Sequence, residues 1–156
     1  MHSASLLSDV LRGLMDRSGV DPSEIGQVVG GCVSQVGEQA FNVARTAWLL
    51  ADLPIGVAAT TVDAQCGSSQ QATNLAFGLI KAGVIDSAVS CGVEVMSRIP
   101  MGAAMSDRNL GRPVPKAYFD KYEFTTQFEG AERIADRWNI SRDDGDQFGL
   151  RSQQLG

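Results

Sequence analysis

The chain has 156 residues, 44% of them apolar and 20% charged, with a formal net charge of −5. That length and apolar share support a packed core and exclude a disordered chain, while the acidic balance argues against a nucleic-acid binder, which carries a basic face. No run of about 18 apolar residues is present, so no helix of the sequence is suited to span a membrane.

The opening stretch MHSASLLSDVLRGLMDRSG has no basic start followed by an apolar core, so it does not read as a signal peptide. Leu6, Leu7, Val10, Leu11, Leu14 and Met15 recur at helical spacing and predict an amphipathic helix over 5–17, ended by Ser18-Gly19. Residues 27–34, QVVGGCVS, are short, apolar and valine-rich, as a strand buried on both faces would be. Asn42 is placed to cap a helix over 43–51, which Leu53-Pro54 stops. The β-branched run VAATTVDA (57–64) predicts a second strand. A helix over 66–83 ending at Gly83 follows, and SAVSCGVEV (87–95) predicts a third buried strand.

From 98 to 125 the texture changes: Pro100, Pro113 and Pro115 fall among glycines with no visible period, as in a long connection that is either functional or disordered. Regular spacing returns in FEGAERIADRW (128–138). A further helix starts at Ser141, with Asp144 in capping-box position. Alternation of helix and strand predicts an α/β fold with a parallel-rich sheet and flanking helices, and the two last helices belong to a separate layer.

The three cysteines, Cys32, Cys66 and Cys91, are odd in number and form no Cys-x-x-Cys pair, and His2 is the one histidine. A disulfide framework and a metal site are therefore not expected, and the chain reads as cytoplasmic with free thiols. A nucleophilic cysteine needs a stabilised thiolate and access to substrate. Cys66 has both prospects, because TTVDA leads into it and Gly67-Ser68-Ser69 opens the next helix, whose unpaired N–H groups favour negative charge. Cys32 and Cys91 sit inside valine-rich strands, where a thiol behaves as a small buried apolar group.

The stretch 62–98, VDAQCGSSQQATNLAFGLIKAGVIDSAVSCGVEVMSR, resembles the nucleophile segment of thiolases, the acetyl-CoA acyltransferases. VGGCVSQ (29–35), NVARTAWLLADLP (42–54) and ISRDDGDQFGLRSQ (140–153) resemble the family in the same order. AQCGSSQQ and FEGAERIA look closer to steroid-degrading or long-chain thiolases than to short biosynthetic ones. The resemblance implies a thiolase-like half-domain over 1–97, lacking the family's central first strand, and the start of its loop domain over 98–156.

It also implies chemistry: a 3-ketoacyl-CoA thiolase of fatty-acid or steroid side-chain β-oxidation, working through an acyl-Cys66 intermediate in thiolysis or the reverse condensation. The backbone N–H of Cys66 would serve as an oxyanion donor. Acyl-CoA and CoA would be substrates, with no metal or other cofactor, and a homodimer or homotetramer is implied. Gln127, in Thr126-Gln127-Phe128, stands where many thiolases have His-Met-Gly and would contact CoA. Arg98, Arg108, Arg112, Lys116 and Lys121 make the loop locally basic, either toward CoA phosphates or as a solvated or oligomer-contacting loop. Arg45 matches a family position and reads as structural, needing an acidic or carbonyl partner. The family's Gly-His-Pro base and its Cys-Gly-Gly-Gly acid are not in this sequence, and His2 stands in no such motif. The chain alone is thus expected not to turn over. Two other readings remain open at this point: a ketoacyl synthase, which usually shows Ala-Cys-Ser-Ser where Gln65-Cys66-Gly67-Ser68 stands here, and a non-catalytic thiolase-like protein for lipid transfer or scaffolding.

Overall fold

A computed structural model describes residues 1–156, the side chain of Arg108 excepted. Helix α1 (Ser3–Ser18) buries Ala4, Leu7, Leu11 and Met15, the stripe set by the apolar spacing. Its start is capped by His2, whose Nδ1 accepts from the N–H of Ala4 at 3.2 Å, and Gly19 ends it at φ 68°. Helix α2 (Val43–Leu50) is capped by the Asn42 side chain, as expected, and buries Val43, Ala44, Ala47 and Trp48. Small residues at 44 and 47 let α2 lie close to the sheet, and Trp48 fills the space beside them while donating through Nε1 to the Pro54 carbonyl at 2.9 Å. Arg45 does find carbonyl partners, at Val57 and Ile55.

Three parallel strands, β1 (Gln27–Gly31), β2 (Ala58–Val62) and β3 (Ala88–Gly92), pair in the order β2-β1-β3. Val29 stands level with Thr60 on one side and Ser90 on the other. Strand pleat divides the side chains. Val28, Cys32 and Val89 join the core under α1 and α2, whereas Val29 meets Ala72 and Ala76 of helix α3 (Ser68–Lys81) on the opposite face. The α/β architecture with helices on both faces is the one expected.

All three strands stop earlier than read, at 31, 62 and 92. Beyond those points the chain leaves the ladder to build loops at the carboxyl ends of the strands. Central β1 is buried as predicted, but β3 is not a fully buried strand: only Val89 within it is buried. Among the described residues β3 pairs on one side alone, and Cys91, expected to be buried, is partly exposed while packed against the core.

Residues 98–125 are largely irregular, with 3-10 turns at Ala103–Met105 and Arg108–Leu110 and one short helix α4 (Lys116–Phe119). Packing groups the chain into two compact units, Met1–Gly111 and Arg112–Gly156. Within the second, Tyr118 meets Phe119 and Tyr122 with ring centroids 5.6 and 5.0 Å apart. Helix α5 (Gln127–Trp138) is capped by Thr126, and Arg133 ties Glu129 to Glu123. Helix α6 (Arg142–Leu155) opens with the Ser141–Asp144 capping box read from the sequence. Among the described residues no helix is long and apolar enough to cross a membrane.

Candidate active site

Cys66 lies in the turn between β2 and α3, one residue before the cap Gly67, and is exposed. The turn is sharp because Gln65 takes the left-handed conformation at φ 51°, uncommon for a side chain of that size. Hydrogen bonds over-determine it. The Gln65 N–H donates to Asp63 Oδ1 at 2.8 Å, the Gly67 N–H to the Ala64 carbonyl at 3.1 Å, and the Ser68 N–H to the Gln65 carbonyl at 3.0 Å. Buried Ser68 closes the set: its Oγ accepts from the Ala64 N–H at 3.0 Å and donates to the Gln65 carbonyl at 2.5 Å. A non-glycine residue held at positive φ persists only where its surroundings fix it, and such positions cluster at functional sites.

The start of α3 rests directly on two strand-end glycines. A Cβ on Gly31 would lie 2.5 Å from the Ser69 backbone nitrogen, and one on Gly92 would lie 2.3 Å from Ser69 Oγ. The absence of side chains at 31 and 92 therefore lets the helix N-terminus, with Cys66 beside it, approach the carboxyl ends of β1 and β3. Helix N-termini favour negative charge, and crevices at the carboxyl ends of parallel strands are the usual ligand sites of such sheets.

A cleft of about 460 Å³ opens there. Cys66 and Ser69 line it from the α3 side, and Val33, Glu94, Met96 and Met101 line it from the loops after β1 and β3. Glu94 is held by the N–H groups of Val33 at 2.9 Å and Ser34 at 3.2 Å. Among the described residues the N–H of Cys66 makes no backbone hydrogen bond.

The other thiols differ from Cys66. Cys32 is buried, and that burial together with the Glu94 carboxylate pushes its thiol up to about 12. Burial against the α1–α2 core pushes the partly covered Cys91 thiol up to about 11. Neither carries a thiolate near neutral pH. His2 caps α1 and approaches Glu38 at 3.9 Å. Arg98, counted among the basic loop residues, is held bidentately by Glu38 at 2.8 and 2.9 Å, so it is not a free cation. The Arg108 side chain lies outside the described residues. Gln127 is the exposed first residue of α5, in the second unit.

Sequence reading missed the residues that support the cleft. Ser68 carried a signal, a hydroxyl in the first turn of a helix. Gly31 and Gly92 carried a weaker one, glycine at the end of a strand. Gln39 and Glu94, 55 residues apart and 2.7 Å from each other, carried none.

Comparison with known proteins matches residues 1–156 to the family described as Thiolase, N-terminal domain. The chain is 39% identical to the steroid 3-ketoacyl-CoA thiolase FadA6 of Mycobacterium tuberculosis, over 99% of this chain and 40% of that protein. It is 41% identical to the 3-oxoadipyl-CoA/3-oxo-5,6-dehydrosuberyl-CoA thiolase of Escherichia coli, over 92% of this chain and 39% of that one. The crystal structure of the Bacillus anthracis acetyl-CoA acetyltransferase superposes with a TM-score of 0.75 at 30% identity, covering 99% of this chain and 41% of that one. The chain thus spans about 40% of the length of the curated relatives it matches.

Proposed function

The chain belongs to the thiolase family, and from that premise we propose that it carries the nucleophile of an acyl-CoA acyltransferase, a 3-ketoacyl-CoA thiolase of fatty-acid or steroid side-chain β-oxidation. The observation that carries this reading is the exposed Cys66 at the N-terminus of α3, in a turn fixed by Ser68 and open to the cleft.

In the thiolytic direction the Cys66 sulfur bonds to the 3-keto carbon of a 3-ketoacyl-CoA. The bond between C2 and C3 then breaks and its electron pair leaves with C2, which takes up a proton as acetyl-CoA departs. The sulfur of free CoA next bonds to the acyl carbon, the bond to Cys66 Sγ breaks, and a shortened acyl-CoA leaves. Covalent transfer replaces one difficult step by two easier ones. The Cys66 N–H supports the oxygen that gains charge at each addition. The proton of Cys66 and the proton for C2 need a base and an acid. The family draws these from Gly-His-Pro and Cys-Gly-Gly-Gly motifs absent from these 156 residues, so the proposal assigns the covalent step to this chain.

CoA is a substrate in this reading, with no further cofactor, and Gln127 is proposed as a CoA contact on the family position alone. The free cysteines and the family support a cytoplasmic homodimer or homotetramer. Glycine beside the nucleophile, in Gln65-Cys66-Gly67-Ser68, supports a thiolase over a ketoacyl synthase. The test is acetoacetyl-CoA cleavage, followed as loss of enolate absorbance with CoA present, by a full protein in which these 156 residues are joined to the family's Gly-His-Pro and Cys-Gly-Gly-Gly motifs. Activity abolished in Cys66→Ala supports the reading; activity that persists in Cys66→Ala, or none in the unaltered full protein, overturns it.

A further inference from the structure

The loops that leave β1 and β3 are joined beside the cleft by one buried amide. Gln39 donates through Nε2 to Glu94 Oε1 at 2.7 Å and to the Ser34 carbonyl at 2.9 Å. Its Oε1 accepts from the Val95 N–H at 2.8 Å and from Ser3 Oγ at 3.2 Å. Only this orientation of the amide satisfies all four partners, since the flipped one sets NH₂ against the Val95 N–H and oxygen against the Ser34 carbonyl. Glu94 completes the link by accepting from the N–H groups of Val33 and Ser34. Residues 33–35 and 93–95 lie outside regular structure, so these side-chain bonds replace a ladder in setting the distance between the two loops.

We propose that Gln39 and Glu94 are a positioning pair for the reaction of this cleft: they hold the loops after β1 and β3 at one separation, so that the wall meeting the acyl-CoA is formed before substrate arrives. This rests on the thiolase reading above. The pair acts on substrate placement and leaves the nucleophile alone. The turn bearing Cys66 is fixed by Asp63, Ala64, Gln65 and Ser68, and no hydrogen bond of that turn reaches Gln39 or Glu94. A preformed wall lowers the cost of ordering the site on binding, so its loss raises KM more than it lowers kcat.

The test uses the full protein with two isosteric variants, Glu94→Gln and Gln39→Glu, and their combination. Glu94→Gln sets an NH₂ group against either the Gln39 NH₂ or the Val33 N–H, and Gln39→Glu sets a carboxylate against Glu94 and the Ser34 carbonyl, while the combination restores one amide–carboxylate bond. KM and kcat for acetoacetyl-CoA thiolysis are measured beside the rate of Cys66 alkylation by iodoacetamide. The expected result is a KM about tenfold higher in each single variant, kcat changed less than about threefold, alkylation unaltered, and part of the KM recovered in the combination. An unmoved KM in folded single variants overturns the proposal. So does a parallel fall of alkylation and kcat, and so does failure of both single variants to fold, which makes the pair a strut for folding alone. If the unaltered protein does not cleave acetoacetyl-CoA, the thiolase reading fails and this inference falls with it; an active unaltered protein with unmoved KM in the variants overturns this inference only.

Discussion

Ser68 Oγ donates to the carbonyl oxygen of Gln65 at 2.5 Å and accepts from the N–H of Ala64 at 3.0 Å, so one buried hydroxyl joins the two residues before Cys66. Ser68→Ala removes both bonds and leaves the Ala64 N–H without that partner. We expect a loss of about 0.5–1.5 kcal/mol in urea unfolding, the usual net worth of a hydrogen bond, because Ala64 and Gln65 are exposed and water can replace the hydroxyl. We also expect slower thiolysis, because Gln65 at positive φ is then held only by Asp63 and the Ser68 N–H. Unchanged stability and unchanged rate would contradict the role given to this hydroxyl.

Gly31 and Gly92 admit the start of α3, but they are not equally demanding. The Cβ of Gly31→Ala meets backbone, the Ser69 nitrogen at 2.5 Å and the Ser68 carbonyl carbon at 2.6 Å. The Cβ of Gly92→Ala meets first the Ser69 hydroxyl at 2.3 Å, which can rotate away, and then the Gly31 oxygen at 2.9 Å. Overpacking of this kind costs about 1–3 kcal/mol. Gly31→Ala is expected at or above the top of that range and Gly92→Ala below it, measured by thermal melting. The reverse order would mean that the helix start is not seated as described.

The thiols are expected to react with iodoacetamide in a fixed order at pH 8. Cys66, exposed in the turn, is alkylated first; Cys91, raised to about 11, follows; Cys32, raised to about 12 and buried, reacts last or only on unfolding. Peptide mass spectrometry over a time course reads the order. Labelling of Cys32 or Cys91 ahead of Cys66 would remove the reason for choosing Cys66.

Glu38 gives a dependence on pH. Its hydrogen bonds with Arg98 lower its carboxyl from 4.5 to about 2, with Ser3 adding to the effect. A carboxyl depressed in the folded state contributes stability above its unfolded value, and that contribution is lost as pH falls through the folded one. The stabilisation is therefore present above pH 4.5 and disappears toward pH 2. In melts from pH 7 to 2, Glu38→Gln is expected to start less stable than the unaltered protein, with the two converging across that window. A constant difference at all pH values would show that the carboxylate charge is not what matters.

Much of this was legible in the sequence. Leu7, Leu11 and Met15 at helical spacing, valine-rich β1 and the Ser141–Asp144 box carry their structure in local pattern, so α1, the start and burial of β1 and the start of α6 fell where expected. The Cys66 turn was legible because a strand pattern runs into Gly67-Ser68-Ser69 without a linker. What escaped was set by neighbours distant in sequence. The partial exposure of Cys91 goes with β3 lying at the edge of the described sheet, and strand order has no signature within the strand. The Gln39–Glu94 contact joins residues 55 apart, each unremarked in its own segment.

The central claim is that Cys66 carries the acyl group, and peptide mass spectrometry after brief exposure to acetoacetyl-CoA without free CoA tests it most directly. The 156-residue chain is expected to gain one acetyl group, on the Cys66 peptide and not on those of Cys32 or Cys91. It should show no repeated turnover when CoA is added, since the acid–base motifs are not in it. In Cys66→Ala the acetyl group should be absent. Acetylation of another cysteine, multiple turnovers by these 156 residues alone, or cleavage of the C2–C3 bond of acetoacetyl-CoA by the full protein with Cys66 unmodified and dispensable would contradict it.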